Sequence, residues 1–126
     1  MSGNGLKETL KRLKPNTSIP IFVDTKRKCV ESLISALKKE HYIEVTKTFK
    51  QSCAIIVTDK VSEINILENP IQTKAKNIRA HARKIVPTGK GQLVITTSQG
   101  VVLQQEAIGN KVGGHIIAYI VTNGQN

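Results

Sequence analysis

Three histidines (His41, His81, His115), two cysteines (Cys29, Cys53) and nine carboxylates are the groups through which this chain could do covalent, acid–base or metal chemistry. Their spacing supports none of these. The histidines are far apart and match no Cys-His, Ser-His-Asp or metal-ligand pattern. No carboxylate pair stands out, and neither a Walker sequence nor a glycine-rich dinucleotide loop is present. Catalysis is therefore excluded as the leading function class, and no cofactor, metal or small-molecule substrate is expected. Cys29 sits in a helical pattern and Cys53 opens an apolar strand. Two buried thiols are expected rather than a disulfide.

Non-covalent chemistry is better supplied. Thr96, Thr97, Ser98, Gln99 and Gly100 form a polar turn of small hydroxyls, an amide and a glycine. Small hydroxyls donate and accept at close range, as a ribose 2′-hydroxyl requires, and Gln99 can meet a base edge. Gly113 and Gly114, followed by His115, expose backbone N–H groups that can bond phosphate or sugar oxygens. Each feature has a plainer reading: Ser/Thr-Gly turns are common, and a glycine pair is usually only a turn. Tyr119 reads as a sheet residue, and two Tyr with two Phe are too few for a mechanism of serial base stacking.

Nineteen Lys and Arg against nine Asp and Glu give a formal charge of +10, so a polyanionic partner is expected. Lys7, Lys11, Arg12 and Lys14, with Lys26, Arg27 and Lys28, form a candidate phosphate-binding patch supplying affinity rather than sequence choice. Arg79, His81 and Arg83 would form a second patch if their segment is a strand. No apolar run reaches the ~18 residues of a membrane span.

The elements that must position these groups follow from periodicity. Leu6, Leu10 and Leu13 mark a short basic helix over residues 5–14, and residues 19–23 a brief strand. Asp24 or Thr25 is expected to cap a second helix, whose Val30, Leu33, Ile34 and Leu37 follow the i, i+3, i+4, i+7 spacing of one buried face. From Tyr42 the period becomes two. Ile43, Val45 and Phe49 are expected on one side of a strand, and residues 53–58 return after a turn. Asn69-Pro70 marks a break. Residues 75–85 read either as a strand, with Ile78, Ala80 and Ala82 inward, or as a helix with Ala75, Ile78, Ala82 and Ile85 in a stripe; the strict alternation favours the strand. Pro87, Gly89 and Gly91 form a loop, residues 93–97 a strand, 103–109 a short helix, and 115–121 the last strand. The fold class expected is α+β: an N-terminal helix-strand-helix-hairpin unit, residues 1–62, packed against a mainly β C-terminal unit, residues 63–126.

The runs QLVITTSQGVVLQQEA and KVGGHIIAYIV resemble the signature of the bacterial-type small-subunit ribosomal protein number eight family. That family has a strand, a Ser-Thr-Ser-x-Gly turn, a short helix with Glu-Ala, a glycine pair, and a final strand with a tyrosine near its end. Here these are Thr96 to Gly100, Glu106-Ala107, Gly113-Gly114 and Tyr119, at matching spacings. VESLISALKKEHYI resembles the family's second helix and following strand, and residues 59–90 match poorly. Thr96 replaces the usual first serine, His115 a glutamate and Ile108 an arginine, and the aromatic residue after the Tyr-Val pair is missing.

The resemblance implies a structural component of the small ribosomal subunit. Its C-terminal unit would dock on the central domain of small-subunit ribosomal RNA, beside neighbouring small-subunit ribosomal proteins. The departures make an organellar ribosome, plastid or mitochondrial, the host expected ahead of a bacterial one. A basic interaction protein, binding acidic partners or anionic membrane through its N-terminal helix, is the alternative.

Overall fold

The computed structural model of the protein describes residues 5–86 and 90–123. The leucine spacing near the N-terminus closes one face of α1 (Leu6–Arg12), with Leu6, Leu10 and Leu13 all buried. After β1 (Ile21–Asp24) comes α2 (Lys28–Lys39), which buries Val30, Leu33, Ile34 and Leu37 as the spacing predicts. Neither Asp24 nor Thr25 caps it. Asp24 Oδ1 instead accepts the Lys26 N–H at 2.9 Å, a side-chain turn that ends before the helix begins after Arg27.

The hairpin of β2 (Ile43–Thr48) and β3 (Ser52–Val57) joins β1 in an antiparallel sheet of order β1-β3-β2. Ile43 is buried and Val45 half-buried, but Phe49 does not share their side. The register shifts between Val45 and Lys47, and an extra residue in a strand inverts the parity of everything after it. Phe49 consequently lies at the surface, its ring centroid 6.0 Å from that of Phe22.

β4 (Val61–Thr73) continues past the break expected at Asn69-Pro70, although its ladder is interrupted there. The proline falls where the register shifts between Ile66 and Ile71, on the edge strand of the second sheet. A missing N–H costs no ladder bond there. Residues 75–85 form no strand: a 3₁₀ turn (Ala75–Asn77) leads into α3 (Ile78–Ile85). Ala80, which the strand reading turned inward, is exposed, while Ile78 and Ala82 are buried. Of the loop expected at Pro87, Gly89 and Gly91, the first two lie outside the described residues and Gly91 opens β5 (Gly91–Thr97). β6 (Gly100–Leu103), α4 (Gln104–Asn110) and β7 (Gly114–Thr122) complete a four-stranded antiparallel sheet of order β4-β7-β5-β6.

This second sheet is covered on both faces. Val94, Val101, Leu103, Ala118 and Ile120 pack with α1, α2 and the three-stranded sheet in one core. Leu93, Ile95, Val102 and Ile116 pack with Ile78 and Ala82 of α3 and Ala107 of α4 in another. Each large side chain fully buried this way contributes about 1.5–3 kcal/mol. The architecture is the α+β arrangement expected. The 62/63 division falls inside β4, and the first core draws on both sides of it.

A polar junction also joins the halves. Buried Gln92 donates from Nε2 to the Tyr42 hydroxyl oxygen at 2.8 Å and accepts the Gln105 N–H at 3.2 Å. Burial pushes the Tyr42 phenol above its ordinary pKa, the Gln92 hydrogen bond opposes this, and the nearby Glu40 charge adds to the rise.

Candidate nucleic-acid interface

β5 and β6 pair Thr97 with Gly100, so Ser98 and Gln99 are the two loop residues of a tight hairpin. Thr97 holds the loop closed: its hydroxyl donates to the Gly100 carbonyl at 2.9 Å and accepts the Gln99 N–H at 3.0 Å. Gly100 has φ +113°, a conformation that disfavours any side chain, and a Cβ there would stand 2.6 Å from Ser32 Oγ. Ser32, on α2, accepts the Val101 N–H at 2.8 Å and donates to the Val101 carbonyl at 3.3 Å. The hairpin tip is thus pinned from within by Thr97 and from below by Ser32. Ser98 and Gln99 are exposed, and their side chains make no hydrogen bond with the described residues.

The glycine pair lies at the same end of the sheet. A Cβ on Gly114 would fall 2.0 Å from the Thr96 carbonyl oxygen, and one on Gly113 2.4 Å from that of Thr73. Neither has a positive φ. Both are therefore demanded by close backbone packing of β7 on its neighbours, whatever else they contact. Thr96 pairs with His115 across β5 and β7, and its hydroxyl donates to the His115 carbonyl at 3.4 Å. His115 itself is exposed.

The basic residues divide around this frame. Lys7 on α1 reaches a cleft of about 590 Å³ that it shares with Thr96, Thr97, Gly100 and His115. Lys28 lines a separate recess of about 710 Å³ with Gln99. Arg27 packs beside Gly5, where α1 begins, and Lys11 and Lys26 are exposed on the flanks. The fold therefore gathers Lys7, Thr96, Thr97, Gly100 and His115 into one cleft, with Gln99 and Lys28 on another side of the hairpin. Sequence reasoning missed Ser32, a serine beside the apolar stripe of α2, and the β4 bulge whose Leu67 and Pro70 wall the cleft. Ser32 carries no local signal, since it acts through a contact distant in sequence, whereas Asn69-Pro70 marks the place of the bulge without indicating its role.

An antiparallel sheet covered on both faces, a pinned hydroxyl-bearing hairpin beside lysines, and a charge of +10 define a small basic α+β protein suited to a polyanionic surface. The family model described as Ribosomal protein S8 matches residues 11–121, and the chain belongs to that family. Two small ribosomal subunit proteins uS8 resemble it over most of their length. That of Malacoplasma penetrans is 33% identical, covering 91% of this chain and 95% of the relative. That of Mycoplasmopsis pulmonis is 32% identical, covering 91% and 89%. The uS8 of Nanoarchaeum equitans is 26% identical over 70% of this chain and 72% of the relative.

Proposed function

We propose that the protein is a structural, non-catalytic constituent of the small ribosomal subunit that binds small-subunit ribosomal RNA, specifically its central domain, and supports its assembly. The observation that carries this reading is the pinned hairpin, which holds the Ser98 hydroxyl and the Gln99 amide outward on a rigid support. Rigid presentation lowers the ordering cost of binding. Ser98 and Gln99 would meet sugar edges and bases in an RNA minor groove, with Lys7 and Lys28 on flanking phosphates. Thr97 serves by shaping the turn, and Gly113 and Gly114 by letting β7 approach its neighbours. Lys11, Lys26, Arg27 and His115 widen the positive rim. In this reading residues 63–126 carry specific recognition, residues 1–62 add phosphate contacts, and other small-subunit ribosomal proteins are the neighbours.

The membrane alternative loses its basis in the packing of α1. Leu6, Leu10 and Leu13, the apolar face that would enter a lipid surface, are buried in the core. The organellar host rests on the departures in the motif alone; the relatives named above are bacterial and archaeal.

Binding of the purified chain to a central-domain RNA fragment and to a length-matched duplex, near physiological salt, tests the proposal. A preference of about 10³ or more is expected for the fragment. Ser98→Ala should cost about 1–3 kcal/mol of that specific binding and leave duplex affinity unchanged. Equal, steeply salt-dependent binding to both RNAs would reduce the protein to a general polyanion binder.

A further inference from the structure

Between Glu68 and Glu106 the chain carries no acidic residue, yet Lys74, Lys76, Arg79, Arg83, Lys84 and Lys90 all fall there. The structure turns this composition into a surface. α3 buries Ile78 and Ala82 against the second core and leaves Arg79, Arg83 and Lys84 exposed. Lys76 and Arg79 meet Lys111, from the end of α4, around a recess of about 400 Å³ walled by Ala75 and Ile108. Neither these three nor Arg83 makes an ion pair with a described residue.

Folding alone gives no reason for this arrangement. Arg79 and Arg83 are like charges one helical turn apart, which weakens a helix. Lys76 and Arg79 also stand at the positive end of the α3 dipole, where cations are disfavoured. Lys111 adopts φ +56°, a left-handed conformation that a glycine would occupy with less strain. An anion in front of the helix would relieve the mutual repulsion.

The position matters as much as the charge. The cleft by the Ser98 hairpin includes Ile66, Val101 and Ile117, which belong to the first core, whereas α3 covers the other face of the sheet. We propose that α3 and Lys111 form a second RNA-backbone contact, in which Lys76, Arg79, Arg83 and Lys111 hold phosphates of a segment other than the one at the hairpin. This rests on the RNA-binding reading above and deepens it: the protein joins two RNA segments across its sheet. RNA is favoured over an acidic protein segment because Lys76, Arg79, Arg83 and Lys111 are all cationic with no acidic residue among the side chains lining the recess, the composition that phosphate contacts use.

The test compares the full chain with the combined variant Lys76→Gln, Arg79→Gln and Arg83→Gln on intact small-subunit ribosomal RNA. Glutamine keeps helix propensity, and an unchanged melting temperature confirms folding. The logarithm of affinity against the logarithm of salt should become shallower by about 2–3, three lost contacts at roughly 0.7–0.9 each. In hydroxyl-radical footprinting the parent should protect two separate RNA segments and the variant one. The charge-keeping variant Lys76→Arg, Arg79→Lys and Arg83→Lys should restore both readouts. An unchanged slope with both segments still protected overturns the α3 contact while RNA binding stands. A parent chain with no RNA preference overturns both readings together. An unchanged slope with loss of the variant from reconstituted subunits would assign α3 to a protein neighbour and overturn the RNA assignment.

Discussion

The two sheets are finished differently. The four-stranded sheet has hydrophobic cover on both faces, and its central strands β5 and β7 carry side chains that are fully buried on each. The three-stranded sheet is covered on one face, and its other face leaves Phe22 58% and Phe49 43% exposed. LVI in β5 and VVL in β6 are apolar runs buried at every position, whereas the apolar runs IFV in β1 and AII in β3 leave Phe22 exposed and Ile56 half-buried, and β2 alternates until its bulge.

Substitutions should separate the two sheets by size of effect. Ile116→Ala, in the doubly covered sheet and fully buried, should lower unfolding free energy in urea titration by about 2–5 kcal/mol. A loss below about 1 kcal/mol would show that this sheet is not the rigid body described. Gly100→Ala should cost about 1–3 kcal/mol, from its positive φ and the approach to Ser32. Ser32→Ala should cost about 1–3 kcal/mol by leaving the Val101 N–H unpaired. Both should also weaken RNA binding, which a purely local stability effect far from the tip would not. Phe22→Ala on the bare face should cost only about 0.5–1.5 kcal/mol, the worth of an aromatic pair.

The smallest effect concerns pH. Burial raises the Cys53 thiol, with the Lys38 charge opposing, and burial likewise raises the Tyr42 phenol. For both, the unfolded chain ionises first and binds fewer protons, so stability is full below the ordinary thiol range and declines as pH rises through the folded-state values. Urea midpoints should stay flat near neutrality and fall from about pH 8.5, where an ordinary thiol ionises. Cys53→Ala should delay the onset, leaving the phenol's contribution above about pH 10.

Much of this was legible where one element decides its own fate. The stripe of α2, the hairpin at Ser98 and the short helix before the glycine pair are written in local spacing. α3 was misread because Ile78, Ala80 and Ala82 satisfy a period of two while Ile78, Ala82 and Ile85 satisfy a helical stripe. The surrounding fold settles the matter: β5 and β7 already occupy the sheet, and helix-forming Ala and Arg dominate the segment. Phe49 was misplaced because a bulge, invisible in composition, inverted its side. At the candidate interface the residue types were readable, but the commitment of the Thr97 hydroxyl to the turn depends on geometry, and the Ser32 anchor on a contact between residues 69 positions apart.

Strand order has a consequence for biosynthesis. β7 follows β4, β5 and β6 in the chain yet lies between β4 and β5 in space. A nascent polypeptide emerging from the exit tunnel therefore holds the two flanks of the sheet with a gap at its middle, and only the arrival of residues 114–122 zips them together. Truncated products are left with raw strand edges on β4 and β5. Exposed edges of this kind favour edge-to-edge aggregation, a hazard that lasts until the final strand is in place.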